Sequence, residues 1–364
     1  KETLSLLKLI GAENNFDSQE NLFIKFIDRN RNQFQLSASK TFYPLNLLLA
    51  IFNYNVLNFS DKISFIIFLL KLPLLSKTSL RKLTVREWLE IENQNSEIIK
   101  SFWEILCVGA LNTNLEKASA LIFYDVLMQI FFKGNFATTI VLPKYGLSES
   151  IINPALLFIE RNGGTIMPSE SVKEIIVKNQ KVVSLKSDKN IYDNFDYVIS
   201  AIPLFALDKI ISIKNLDINL EFEYSTILNI HIWLNENKLQ EKFYGLLDSP
   251  LHWIFVKEKH INIVISDANY LVDKTKEEIL KFIINELVQC ISIKDEDIQQ
   301  YKIIKEKRAT FVPNINTLDK RPNSETPIKN LFLAGDWTNT GLPSTIESAV
   351  KSGRIAAELI LCEK

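Results

Sequence analysis

The residues best placed to do chemistry lie near the carboxyl terminus, where an apolar run ends at a carboxylate and a helix follows. Residues 331–334 predict a buried strand that stops just before Asp336, and a helix is expected from Ser344 onwards. Ser344 or Thr345 can cap this helix, and Glu347 has capping-box spacing from Ser344. The amides at a helix start suit an electron-rich ligand edge, and a carboxylate can accept hydrogen bonds from sugar hydroxyls. This order of elements predicts one wall of a nucleotide-cofactor site.

The composition indicates a globular chain with room for a large core. The 364 residues are 47% hydrophobic and 23% charged, which suits one large or two medium domains. The formal net charge is −1, so there is no electrostatic argument for a nucleic-acid partner. Three scattered cysteines form no disulfide framework, and the three histidines lack zinc-site spacing. We therefore expect no metal, and a reducing compartment, the cytoplasm.

Hydrophobic periodicity separates helical segments from strand-rich ones. The pattern predicts helices at 2–9, within 44–134 and at 274–290, and strands at 22–27, 33–36, 172–177, 181–185, 196–203, 228–234 and 261–265. Residues 135–203 are expected to be mainly strands, with a hairpin turn at Asn179-Gln180. This mixture predicts an α/β (α+β) fold with two interleaved regions.

Residues 44–80 are unusually rich in leucine, isoleucine and phenylalanine, with Asp61 and Lys71 among the few interruptions. The apolar run is shorter than the roughly 20 residues that a membrane-spanning helix needs. Two alternatives stay open. The segment forms a buried helix pair, or it lies at a membrane interface or lines a channel for a lipid substrate. The second alternative would place the protein peripherally at the inner membrane.

Several sequence blocks carry a resemblance to known families. The segment from Gly335 to Gly353 resembles the C-terminal flavin motif of the FAD-dependent amine oxidase and carotenoid desaturase superfamily. The blocks that narrow the resemblance are Phe102 to Ser119, Leu142 to Ser148 with Pro154-Ala155, Arg161 to Gly164, His252 to Phe255, Lys307 to Phe311 with Arg321-Pro322, and Thr340 to Pro343. They are similar to the squalene-associated FAD-dependent desaturases, which are the hydroxysqualene dehydroxylases of hopanoid biosynthesis. The resemblance covers nearly all of the chain.

The resemblance implies a two-domain amine-oxidase/desaturase-like fold, in which a Rossmann-like FAD domain is interleaved with a mixed sheet and a helical substrate domain. The expected FAD-binding domain comprises 135–203 and 326–364, and the substrate domain comprises 1–134 and 204–325, with its helical apolar part at 44–134. The ten glycines contain no G-x-G-x-x-G loop, which cradles the FAD pyrophosphate in this superfamily. The chain is therefore expected to be a fragment, or one part of a split protein, that lacks the first βαβ unit of the FAD domain. In the second case, a separate chain would supply this unit.

The resemblance also implies cofactor contacts, residue by residue. The cofactor-binding candidates are Val172, Ala201, Pro203, Gly335, Asp336, Thr345, Ile346 and Glu347. Val172 corresponds to a backbone contact to the adenine, or it is a plain strand residue. Asp336 is expected near the pyrophosphate or ribityl chain. Thr345, Ile346 and Glu347 are expected beneath the flavin ring, where a helix start would stabilise the anionic reduced form.

The implied reaction removes the hydroxyl group of a C30 polyisoprenoid alcohol, hydroxysqualene, and gives squalene. An acid near the alcohol would help the hydroxyl leave, and aromatic faces would stabilise a developing allylic cation. The catalytic candidates are His252, Trp253, Tyr145 and Trp337, and no catalytic acid is assigned among them. The alternatives are a carotenoid or phytoene desaturase, an amine oxidase, and a non-catalytic lipid-binding fragment. The apolar helices favour a hydrocarbon substrate over an amine.

Overall fold

A computed structural model describes residues 1–219, 221–317 and 319–362. The helices are α1 (Glu2–Leu9), α2 (Leu45–Asn53), α3 (Phe59–Lys71), α4 (Lys77–Leu80), α5 (Val85–Ile91), α6 (Ser96–Ile98), α7 (Glu104–Leu111), α8 (Ala120–Phe132), α9 (Asn153–Arg161), α10 (Leu204–Leu207), α11 (Lys276–Ile291) and α12 (Ile346–Cys362). The strands are β1 (Phe16–Ser18), β2 (Phe23–Ile27), β3 (Gln33–Ser37), β4 (Val141–Pro143), β5 (Val172–Lys178), β6 (Lys181–Ser187), β7 (Ile191–Tyr192), β8 (Val198–Ser200), β9 (Tyr224–Leu234), β10 (Phe243–Leu246), β11 (Trp253–Lys257), β12 (His260–Ile265), β13 (Ile298–Phe311) and β14 (Leu331–Leu333). This mixture confirms the expected α/β (α+β) class.

The chain separates into two compact units. Unit 1 comprises Lys1–Ser18, Val141–Glu221 and Asn316–Lys364. Unit 2 comprises Gln19–Ile140 and Phe222–Ile315. The chain passes from one unit to the other several times, so each unit is assembled from segments that are distant in sequence.

A mixed seven-stranded sheet of order β13-β9-β12-β11-β10-β2-β3 organises unit 2. Its strands pair antiparallel except for β10 and β2, which run parallel. One face is apolar and packs on α11, as the alternating burial along β9 shows. We call the opposite face the open face. It carries the half-buried side chains of Asn229, His231, Trp233, Trp253, Phe255 and Asn262.

The apolar segment at 44–80 forms α2 and α3, which belong to unit 2. The inner side of α3 lies in an aromatic core, where Phe65 stacks on Trp103 at 4.6 Å between ring centroids. Its outer side stays exposed, with Phe59 at 71% and Ile67 at 49% exposure. A buried helix pair therefore accounts for only one side of α3. Within the described part of the chain, none of the helices combines the length and apolar content that crossing a bilayer requires.

Unit 1 contains three small sheets, namely β1 with β4, β8 with β14, and β5-β6-β7. The hairpin of β5 and β6 confirms the predicted turn, because Asn179 and Gln180 adopt positive φ angles of 50° and 55°. The expectation of mainly strands over 135–203 is wrong at α9. Pro154 lies in the first turn of α9, where its missing N–H costs nothing, and helix-favouring residues follow it.

Candidate functional site

Two parallel strands of unit 1 end side by side. β14 pairs with β8 in parallel, and Ala334 donates its N–H to the carbonyl of Ser200 at 2.8 Å. The chain therefore leaves both strands at the same edge, which is where open α/β sheets bind ligands. The sequence-predicted residues that the structure brings to this edge are Ala201, Pro203, Gly335 and Asp336. Ala201 and Pro203 are exposed, so the edge is accessible to a ligand.

Gly335 holds the chain in a conformation that favours glycine. Its φ is +137°, and a Cβ at this position would lie 2.5 Å from Nε1 of Trp337. The Trp337 indole N–H donates to the carbonyl of Ile202 at 3.1 Å, which joins the two strand ends. The Gly335 N–H donates to the hydroxyl of Ser352 on α12 at 2.7 Å. Any side chain at 335 would displace the indole that joins the strands. Trp337 is one of the catalytic candidates predicted from the sequence. It is 5% exposed, and its indole N–H is engaged by the carbonyl of Ile202.

The buried guanidinium of Arg321 organises the loop that follows β14. It donates to the backbone carbonyls of Asp336, Trp337, Thr338 and Leu342 and to the hydroxyl of Thr340. The bonds to Asp336 and Leu342 are 2.7 Å long. Burial lowers the pKa of Arg321 to about 10, so the side chain stays charged at neutral pH. No local sequence pattern around Arg321 indicates this role, because its partners follow it at long and irregular spacing.

The Asp336 carboxylate is partly free to bind a ligand. The Ser344 hydroxyl donates to its Oδ2, whereas no donor among the described residues reaches Oδ1. Because Ser344 has this contact, the cap of α12 is Thr345, whose hydroxyl oxygen accepts from the Ser348 N–H at 3.2 Å. Ile346 follows at the helix start and is 49% exposed. The first amides of a helix have no acceptor within it, so they suit an acceptor on a cofactor.

Glu347 lies in the first turn of α12, but its carboxylate caps the start of α1. Its carboxylate accepts from the N–H groups of Glu2 and Thr3 at 2.7 and 2.9 Å, and from the Thr3 hydroxyl at 2.7 Å. The backbone nitrogen of Lys1 donates to it at 2.8 Å. The capping-box expectation is therefore wrong, because the carboxylate binds the start of α1. Burial raises the pKa of Glu347, but these hydrogen bonds outweigh it and lower the pKa to about 2.

Two further candidates lie elsewhere in unit 1. Val172 begins β5 and is 38% exposed. Tyr145 follows β4 and is 56% exposed.

Three of the quoted blocks meet in unit 2. Asn112 ends α7 in the left-handed conformation, with φ at +49°. Its amide nitrogen donates to the Thr310 hydroxyl at 2.9 Å, and its oxygen accepts from the Asp267 N–H at 2.7 Å. Gly109, one turn earlier on α7, lies against the indole of Trp253 on β11. The blocks at 102–119, 252–255 and 307–311 therefore form one wall beside the open face.

His252 is a neutral hydrogen-bond donor in this arrangement. Its Nδ1 accepts from the Ser266 N–H at 3.0 Å, so the proton of the neutral ring is on Nε2. Burial lowers the pKa of His252 to about 4, so the ring is uncharged at neutral pH. It can donate from Nε2–H, but the charged form that would deliver a proton is scarce above pH 5.

The site in unit 1 fits an FAD. It has the accessible ends of β8 and β14, the glycine at 335, and the first turn of α12. It also has Oδ1 of Asp336, which no donor among the described residues reaches. These are features that dinucleotide-binding folds use for the phosphates, the sugar hydroxyls and the ring.

Comparisons with known proteins identify the family of the chain. The family model for flavin containing amine oxidoreductase matches residues 1–361. The hydroxysqualene dehydroxylase of Zymomonas mobilis is 29% identical over 359 residues, which cover 98% of this chain and 83% of that protein. The enzyme of the same name from Sinorhizobium fredii is 30% identical over 274 residues, or 74% of this chain and 64% of that protein. The 15-cis-phytoene desaturase of Synechococcus elongatus is 21% identical, covering 88% of this chain and 74% of that protein.

Solved structures show the same fold. An oxidoreductase from Methanosarcina mazei has a TM-score of 0.72 at 16% identity, covering 100% of this chain and 85% of that one. A putrescine oxidase variant has a TM-score of 0.67 at 11% identity, covering 100% of this chain and 86% of that one. The chain belongs to the flavin-containing amine oxidoreductase family and is an FAD-dependent oxidoreductase.

Proposed function

We propose that the protein is a hydroxysqualene dehydroxylase that converts a C30 polyisoprenoid alcohol into squalene. The observation that carries this proposal is the similarity to the Zymomonas mobilis enzyme over 98% of the chain. The phytoene desaturases are more distant, at 21–23% identity, and the putrescine oxidase is similar at the level of the fold.

Each unit has a proposed role of its own. In unit 1, Gly335, Asp336 and the helix start at Thr345–Glu347 would hold the FAD, with Ala201 and Pro203 beside it and the Val172 backbone at the adenine. Bound FAD, once reduced, supplies the hydride that replaces the hydroxyl group, while the hydroxyl leaves with a proton as water. In unit 2, the aromatic rings of the open face would bind the isoprenoid and exclude water.

Product analysis tests the reaction. The chain joined to a strand–glycine loop–helix unit, which the FAD domain is proposed to need, is loaded with FAD. Reduced anaerobically with dithionite, this protein should convert hydroxysqualene into squalene; with oxidised FAD in air, it should leave putrescine unchanged. Gas chromatography with mass spectrometry measures the squalene, and a peroxide assay in air follows the amine. Peroxide from putrescine without squalene would favour an amine oxidase, whereas new double bonds in phytoene would favour a carotenoid desaturase.

We further propose that a strand–glycine loop–helix unit supplies the pyrophosphate contacts. The strand edge of β8 opposite β14 supports this, since β8 pairs with no described strand other than β14. The outer side of β14 already has a bridge from Glu325 to Phe332. FAD retained by the present chain alone through gel filtration would contradict the need for such a unit.

We also propose that the outer side of α3 contacts the lipid surface from which a polyisoprenoid is taken, at the cytoplasmic side of the inner membrane. An apolar stripe runs along this side, followed by Leu74 at 85% exposure. Its members are Phe59, Ile63, Ile67 and Leu70. Large side chains in such a row favour an interface over bulk water.

Liposome flotation tests this lipid contact. Ile67→Glu combined with Leu74→Glu should abolish most of the co-flotation with anionic vesicles. The reason is that insertion of this surface would bury each new carboxylate at the boundary between the lipid headgroups and the acyl chains. The matched control is Gln299→Glu with Gln300→Glu, which adds the same charge at exposed positions of β13. The control should float like the wild type. Equal recovery of all three proteins would argue against the lipid contact.

A further inference from the structure

Gly109 and Gly245 occupy positions where the backbone itself does not require glycine. Gly109 lies within α7 and Gly245 within β10, and neither has a positive φ angle. Glycine in the interior of a helix or strand is destabilising relative to alanine. Each glycine therefore needs a packing reason.

The indole of Trp253 lies against the backbone at both positions, but only at Gly245, together with the ring of Phe26, does it leave too little room for a Cβ. A Cβ on Gly109 would lie 3.5 Å from the indole Nε1, and a Cβ on Gly245 would lie 3.3 Å from its Cζ3. A Cβ on Gly245 would also lie 2.5 Å from two ring carbons of Phe26. Gly245 is directly opposite Trp253 in the β10–β11 pairing. The backbone at Gly109 therefore lies beside the five-membered ring of the indole, and the backbone at Gly245 lies beside its six-membered ring.

The N–H of this fixed indole has no acceptor among the described residues. The indole of Trp103 donates to Gln94 and that of Trp337 donates to Ile202, whereas the indoles of Trp88 and Trp233, like that of Trp253, have no acceptor among the described residues. Trp253 is only half buried, and its surroundings are apolar, with the ring of Phe243 at 6.3 Å between centroids. An indole N–H that has no acceptor within the protein and is not fully buried can donate to a ligand oxygen.

We infer that the indole N–H of Trp253 donates a hydrogen bond to the hydroxyl oxygen of the polyisoprenoid alcohol. This inference rests on the proposed function, because that hydroxyl is the only polar group of the substrate. The rings of Phe243 and Phe255 lie on the same face of the sheet, beside the indole, and suit the flanking alkene. The hydrocarbon product has no oxygen to accept the bond. Trp253 thereby distinguishes the substrate from the product and favours product release.

The test compares how two lipids bind to variants of the full chain, without flavin. Trp253→Phe keeps an aromatic ring and removes the N–H, so affinity for hydroxysqualene should fall about fivefold to tenfold while affinity for squalene stays the same. Partitioning of radiolabelled hydroxysqualene and squalene between protein and detergent micelles measures both affinities. The matched control is Trp233→Phe, which makes the same change on β9 of the open face and should alter neither affinity.

Two glycine variants test the fixed orientation. Gly245→Ala places a methyl group on the Phe26 ring and should reduce the preference for hydroxysqualene although the N–H remains. Gly109→Ala only reaches van der Waals contact with the indole and should keep the preference. Melting temperatures confirm that each variant is folded.

The outcomes separate this inference from the proposed function. If folded Trp253→Phe keeps the wild-type preference, the inference is overturned while squalene formation can still stand. If the wild type binds both lipids equally, the inference is also overturned. Failure of the wild type to form squalene from hydroxysqualene overturns the proposed function, whatever the binding data show.

Discussion

Replacement of Arg321 by methionine is expected to lower the free energy of unfolding by about 3 kcal/mol or more. The guanidinium is the donor for four backbone carbonyls of the loop after β14, and the residue is 7% exposed. Methionine fills similar space but donates nothing, so these buried acceptors would lose their partner. The same loop carries Asp336, so flavin binding should fail together with stability. Chemical denaturation measures the loss of stability, and the flavin content of the protein completed with the strand–glycine loop–helix unit measures the loss of flavin binding.

Two variants separate the fork of donors from the positive charge. Arg321→Lys keeps the charge but has fewer donors and no planar fork, so it should recover only part of the lost stability. Lys320→Met changes an exposed neighbour and should stay within about 0.5 kcal/mol of the wild type. An Arg321→Met protein with a wild-type denaturation midpoint would show that the loop does not depend on this side chain.

Replacement of Glu347 by glutamine is expected to destabilise the attachment of α1 by about 1–2 kcal/mol at neutral pH. The carboxylate accepts from two backbone amides and one hydroxyl at the start of α1, and an amide side chain cannot match this set of donors. Hydrogen exchange of the Glu2 and Thr3 amides should become faster in the variant. Thermal unfolding at pH 7 measures the loss of stability.

The pH dependence gives this prediction a definite sign. The pKa of Glu347 is lowered to about 2, below the value of roughly 4.3 that a glutamate has in an unfolded chain. Its stabilising contribution is therefore fully present above about pH 4 and is lost as the pH falls towards 2. Glu347→Gln should lack this part of the acid destabilisation. Glu358→Gln, at an exposed position of α12, is the control and should keep it. Parallel acid curves for Glu347→Gln and the wild type would contradict the role of the carboxylate.

Local patterns predicted the elements that depend on neighbouring residues. The amphipathic period over 2–9 matches α1, and the alternation over 228–234 falls within β9. The Asn179-Gln180 hairpin follows because these residue types tolerate or enter positive φ angles between two alternating runs. The end of β14 before Asp336 and the start of α12 beside Thr345 were likewise expected, since a strand stop and a cap are both local signals.

Long-range partners account for what the sequence could not predict. Nothing near Glu347 indicates that its carboxylate binds the start of α1, at the far end of the chain. The contact of Gly109 with Trp253 likewise joins distant segments, and it depends on how α7 meets the open face. The helix α9 is not predicted because the helical run after Pro154 is short, and strand-like segments surround it in the sequence.

The most direct test of the central claim uses the protein completed with the strand–glycine loop–helix unit and loaded with FAD, and it follows the anaerobic absorbance of the flavin when hydroxysqualene is added to the reduced form. The account predicts that the spectrum of oxidised flavin returns, with one squalene formed for each flavin oxidised, and that squalene itself causes no change. A flavin that stays reduced after addition of hydroxysqualene, in protein that has bound the lipid, would contradict the assignment as a dehydroxylase.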